Sequence, residues 1–186
     1  MGVDTTDRQY WVPRLPKARE RVDVWWPEGQ VIGLCPYGAS RKRSLSIGVI
    51  KTIIEQALDA DKRWVLLIAH ENDLAQLRQA LAHEPWFGQI LFRPTPDLFL
   101  LFEQVARCNA MISVDTAAVH IASGFDLPIL GLYAPQRADD KNMLAWHPRA
   151  GKSVVLIARE SNDGSMGDFN AGDLEKSVRK VISWSD

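Results

Sequence analysis

The chain lacks most of the features that would disclose a function at once. Its 186 residues include only two cysteines, Cys35 and Cys108, far apart and in no CxxC pattern. That excludes a disulfide framework and a cysteine zinc site, and leaves buried free thiols as the expected state. The formal net charge is -1, from 22 basic and 23 acidic residues. No global field therefore favours nucleic acid or an anionic membrane, and any anion site must be local. No apolar run reaches the roughly 20 residues of a membrane span, and the polar start has no signal-peptide core, so a cytoplasmic chain without a transmembrane segment is expected. Neither GxxxxGK[ST] nor GxGxxG occurs. His83, His147 and the acidic residues near Asp139 lack metal-ligand spacing, and no EF-hand fits Asp163 to Asp168. Neither a metal nor a cofactor is expected.

What is present suits one α/β domain with a full core: 46% hydrophobic and 24% charged residues. Residues 1–30 read as an interdomain connector or arm. They hold Pro13, Pro16 and Pro27 and the exposed-looking Tyr10, Trp11, Trp25 and Trp26, with no sustained period of 2 or 3.6. A tryptophan-rich arm without its own core points to packing on a partner domain. Residues 31–186 form the domain itself. Strands are expected at 31–35, 64–69, 89–92, 110–114, 128–132 and 153–157. Helices are expected at 46–60, 72–82, 98–107, 116–123 and 171–183, the first, second and last of them with an apolar stripe. Strands without polar alternation, separated by helices, imply a doubly wound, Rossmann-like parallel sheet covered on both faces.

In such sheets ligands bind beyond the carboxyl ends of the strands, near a reversal of strand order. Two loops stand out on that rule. In Pro36 to Leu45 (PYGASRKRSL), small residues at Gly38 and Ala39 permit close backbone approach, Ser40 offers a hydroxyl, and Arg41, Lys42 and Arg43 precede a helix. That combination makes a phosphate cradle; a solvated basic turn is the bland alternative. In the second loop, Asp115-Thr116 opens a helix whose first-turn amides and dipole favour an anion. Thr116 and His120, four residues apart, would then share a face; a simple N-cap with an unrelated histidine is the alternative. Glu71 or Asp73 suits ribose hydroxyls, although Asn72 or Asp73 also reads as a helix cap. Thr95 and Pro96 suit a base pocket or an ordinary turn.

The two loops, in this order, resemble the C-terminal half of the ADP-heptose:lipopolysaccharide heptosyltransferases, glycosyltransferase family 9. Gly38-Ala39-Ser40 and Lys42-Arg43-Ser44-Leu45 match the family's Gly-Ala-Ser turn and Lys-Arg-Trp-Pro element. Ser113-Val114-Asp115-Thr116-Ala117, His120, Pro128 and Ala134-Pro135-Gln136 match its second motif. The resemblance implies the donor-binding half of a GT-B enzyme that is metal-independent and inverts the anomeric centre. It assigns Ser40, Lys42, Thr116 and Ala117 to the donor diphosphate, Glu71 or Asp73 to the ribose, Thr95 and Pro96 to the base, and Asp115 and His120 to the sugar. The implied partners are ADP-heptose or a related nucleotide sugar, a lipopolysaccharide core acceptor, and an N-terminal GT-B domain that supplies the general base. No catalytic residue is expected in this half, which would be inactive alone, as an excised or natural fragment at the inner face of the inner membrane. Ala117 stands where the family carries glycine, Ser44 and Leu45 where it carries Trp-Pro, and Gln136 where it carries threonine. A half that uses a UDP sugar, in a transferase or epimerase, and a non-catalytic interaction domain are the alternatives.

Overall fold

The computed structural model describes residues 10–58, 62–135, 147–161 and 165–185; Gln136, Asp139, Asp163 and Gly164 lie outside them. Six strands form one parallel sheet: β1 (Gln30–Cys35), β2 (Arg63–Leu67), β3 (Ile90–Phe92), β4 (Ala110–Val114), β5 (Ile129–Tyr133) and β6 (Ser153–Ile157), in the order β3-β2-β1-β4-β5-β6. The order reverses between β1 and β4, which pair from Ile32↔Ala110 to Cys35↔Ser113.

The all-apolar strands follow from burial on both faces. Along β1, Ile32 and Leu34 enter one core while Val31 and Cys35 enter the other. In β2 the same alternation sends Val65 and Leu67 one way and Leu66 the other. The first core is closed by α2 (Ile47–Ala57), α3 (Glu71–Leu81) and α6 (Ala171–Ile182). The second is closed by α4 (Leu98–Arg107) and α5 (Ala117–Gly124). Caps set several helix starts: Ser46, Asp97, Thr116 and Asn170 each accept a first-turn amide through the side chain. The helix expected at 46–60 ends at Ala57, and the one expected at 72–82 begins at Glu71 with His70 as its N-cap. Neither Asn72 nor Asp73 caps it.

Residues 10–30 contain a helix that periodicity does not disclose, α1 (Pro16–Asp23). Eight residues with only Ala18 and Val22 buried give too short a stripe to stand out, and an isolated helix of this length is not stable in water. Pro16 starts it, and packing on α4 holds it. Trp25 and Trp26, read as exposed, are half-buried against the second core, whereas Trp11 is 86% exposed. Arg14 forms a bidentate pair with Glu103 of α4, whose side chain is 1% exposed. At Gly124 a Cβ would lie 2.5 Å from Val12 Cγ2 and 2.8 Å from the Tyr10 carbonyl oxygen. The segment thus lies tightly across α5 and α4.

Candidate functional site

Because β1 and β4 are parallel neighbours, the loops that follow them leave the same sheet edge side by side, at the reversal of strand order. A cleft of about 300 Å³ opens there. One wall is the loop after β1, with Tyr37, Gly38 and Ala39; another is the start of α5, with Thr116, Ala117 and Ala118. The far wall comes from the ends of β2 and β3, with His70, Asp73 and Thr95.

The first loop closes as a small knot. Tyr37 and Ser44 form an antiparallel bridge, Gly38 N–H donates to the Arg43 carbonyl at 2.7 Å, and residues Arg41–Arg43 make one 3-10 turn. A Cβ at Gly38 would sit 2.6 Å from that of Arg43, so a glycine is needed there by close approach. Arg43 reaches across to Asp115 at 3.5 Å and ties the two loops together.

The second loop is a capped helix start. Thr116 Oγ1 accepts from Ala118 N–H at 3.2 Å and lies 3.1 Å from Ser113 Oγ. The Cys35 thiol lies 3.7 Å from the same oxygen. Burial pushes that thiol's pKa up against its hydrogen bonds to Thr116 and Ser113, so it is a neutral floor and not a nucleophile. Thr116 Oγ1 and its carbonyl take the Ala118 and Val119 amides, and the start of α5, with the positive end of its dipole, lines the cleft at Ala117 and Ala118.

Of the residues singled out from sequence, the cleft gathers Asp73, Thr95, Thr116 and Ala117. Ser40 and Lys42 are exposed on the loop after β1, outside the cleft lining. Glu71 is exposed at the first residue of α3, two residues and so about 200° of helix rotation from Asp73 on the wall. Pro96 lies on a different cleft, shared with Trp25 and Arg93. Asp115 sits at the rim, paired with Arg43.

His120 shares α5 with Thr116 but packs edge-on against Tyr10, with ring centroids 5.3 Å apart. Burial lowers its pKa from 6.5, Asp115 opposing and Arg149 reinforcing the shift. Its folded-state pKa is below the unfolded one, so the unfolded chain takes up the proton first. Stability is therefore full above about pH 6.5 and declines as the pH falls below it. Melting temperature at pH 5.5 is expected to fall less, relative to pH 7.5, in His120→Gln than in the parent chain.

Sequence reasoning missed Tyr37, His70 and Leu101 on the cleft walls. Tyr37 has a signal in hindsight, as the aromatic directly before a small-residue turn at a strand end. Burial, followed by the Asp73 charge, raises its phenol pKa, so it stays a neutral hydroxyl. Leu101 has none, since it reads as one more member of the α4 stripe.

Comparison with known proteins follows the same geometry. Residues 32–170 match the profile of a family described as glycosyltransferase family 9 (heptosyltransferase). No curated protein matches the chain by sequence. Among solved structures, the ADP-heptose lipopolysaccharide heptosyltransferase II of E. coli superposes with a TM-score of 0.72 at 16% identity, over 95% of this chain and 54% of that one. A family 9 glycosyl transferase from Veillonella parvula gives 0.70 at 14% identity, over 98% and 56%. The E. coli heptosyltransferase WaaC with ADP gives 0.65 at 13%, over 90% and 48%. The present chain thus has the fold of one half of a GT-B protein and spans about half the length of these relatives.

Proposed function

Because this chain belongs to glycosyltransferase family 9, we propose that its cleft is the donor site of a heptosyltransferase-like enzyme, the half that holds ADP-heptose or a related nucleotide sugar. The carrying observation is the capped start of α5 facing a cleft at the β1/β4 reversal, with a carboxylate and a hydroxyl opposite. In this reading the diphosphate lies at the start of α5, on the Ala117 amide, with Thr116 at its side. Ser40 and Lys42 approach from the exposed rim as the loop settles on the ligand. Asp73, in preference to Glu71, accepts from the ribose hydroxyls, because only Asp73 lies on the wall. Thr95 meets the base, with Pro96 supporting its turn. Asp115 and His120 stand nearest the sugar.

Transfer in this scheme needs no metal. An acceptor hydroxyl attacks the anomeric carbon from the face opposite the diphosphate, and the bond to the diphosphate breaks with inversion. Charge then develops on the departing ADP, where the α5 dipole and Lys42 stabilise it. The general base and the lipopolysaccharide core acceptor site belong to an N-terminal GT-B domain, working at the inner face of the inner membrane. Residues 1–30 act as connector to it and residues 31–186 as the donor domain, inactive without that partner.

Calorimetry of the folded chain with ADP-heptose, ADP and UDP tests the reading. Binding of the adenine nucleotides in the millimolar range or tighter, with UDP weaker, is expected; a preference for UDP would point to a UDP-sugar enzyme instead. One observation favours a second reading. Ala117 is exposed on the cleft wall and adds a methyl group where the family has glycine, which fits a non-catalytic domain whose site has decayed. Ala117→Gly separates the two: preserved or improved ADP affinity supports the donor site, and absence of binding in both forms supports decay.

A further inference from the structure

Gln104 of α4 stands between two cavities. It is fully buried, and its Oε1 accepts from Thr95 Oγ1 at 2.8 Å, which fixes the amide from the side of the first cleft. Its Nε2 has no hydrogen-bond partner among the described residues. A buried amide donor without an acceptor is a costly arrangement and marks a group waiting for one.

Gln104 also lines the second cleft, of about 230 Å³, between α1, α4 and the segment after β3. Arg21, Trp25, Arg93, Pro94 and Pro96 complete its walls, and no carboxylate lies among its lining residues. Arg93 makes no ion pair among the described residues, and its guanidinium lies 5.1 Å from the centroid of the Trp25 ring. Arg21 is held at the edge by Asp97 at 3.0 Å, which offsets part of its charge and orients the side chain. The polar complement is therefore made only of donors, two guanidinium groups and one amide, beside an indole and two proline rings.

Acceptor-rich, negatively charged groups satisfy such a set, and guanidinium groups favour carboxylate and phosphate. The volume is below that of sites for drug-sized ligands, which suits a single ring with its charged substituent. We propose that this second cleft binds an oxyanion, a carboxylate or a phosphate monoester, carried on one sugar ring, with Arg93 and Gln104 Nε2 on the anion and Trp25 against the ring. The site does not depend on nucleotide binding in the neighbouring cleft, from which Gln104 separates it.

The test is a two-dimensional NMR titration of the chain with glucuronate, glucose 6-phosphate, glucose and inorganic phosphate, following the Gln104 side-chain amide and the Trp25 indole N–H. Saturable shifts of both signals with glucuronate or glucose 6-phosphate are expected, and the stronger of the two identifies the anion. Glucose should leave them unmoved, and inorganic phosphate should bind more weakly than the charged sugars. Arg93→Gln, at an exposed position, should weaken binding about tenfold, the loss of one charge-assisted hydrogen bond. Gln104→Glu keeps an acceptor for Thr95 but turns the donor into a repelling group, and should remove binding. Absence of saturation with both charged sugars, equal shifts with glucose, tighter binding of inorganic phosphate, or indifference to Arg93→Gln would each overturn the proposal.

Discussion

An aspartate in place of Ala117 is expected to weaken ADP binding about 30- to 100-fold while leaving the melting temperature unchanged or slightly raised. Ala117 is the first residue of α5, exposed, and on the cleft wall. A carboxylate there would lie within a few ångströms of any diphosphate seated on the helix start. Two like charges about 4 Å apart repel by roughly 4 kcal/mol at the effective dielectric of a protein surface, and solvent at this open position reduces that to about 2–2.7 kcal/mol. The corresponding loss of affinity is about 30- to 100-fold. The same charge is favourable to the helix, since an acidic residue in the first turn complements the dipole by about 0.3–1 kcal/mol. Opposite signs for binding and stability distinguish this result from misfolding. Unchanged ADP affinity in a chain that binds ADP would show that the anion does not lie at α5.

The features legible in the sequence are those that local physics controls. Apolar runs such as Val31 to Cys35 and Ala110 to Val114 gave their strands because burial on both faces removes alternation, and Thr116 gave the α5 start because its hydroxyl caps it. The pairing of the two loops was also legible, because parallel strands place consecutive loops at one edge. Side-chain direction was not. Thr116 and His120 lie on one helix at matching spacing, yet only Thr116 lines the cleft, because Tyr10, a residue distant in sequence, engages the imidazole. Glu71 and Asp73 were equivalent by composition and differ by their rotation around α3. The Thr95–Gln104 hydrogen bond connects a turn to the buried side of a helix, where Gln104 interrupts an apolar stripe. That interruption was a readable anomaly, but its partner was not.

Deleting residues 1–24 is expected to lower the melting temperature by about 10–20 °C, because residues 10–24 pack on α4 and α5. Val22 is fully buried, and deleting it with the rest of α1 forfeits the roughly 1.5–3 kcal/mol of its burial. Glu103 would keep its buried place on α4 without Arg14. Because the Arg14 side chain is 47% exposed, that loss is discounted to about 1–3 kcal/mol. Together these give about 3–6 kcal/mol, and a domain of this size loses about 2–4 °C per kcal/mol. Two finer substitutions divide the effect. Arg14→Ala alone should reproduce the ion-pair portion by leaving Glu103 buried and unpaired. Adding Glu103→Leu should recover much of it, since an apolar side chain needs no partner against the second core. Thermal melts of the three chains decide the matter. If the truncated chain melts with the full one, residues 10–24 rest on α4 and α5 without stabilising them, and their packing belongs to a connector after all. If it melts far lower, residues 10–24 are an integral part of the fold, and the strap that Tyr10 lays over His120 stabilises the helices it crosses.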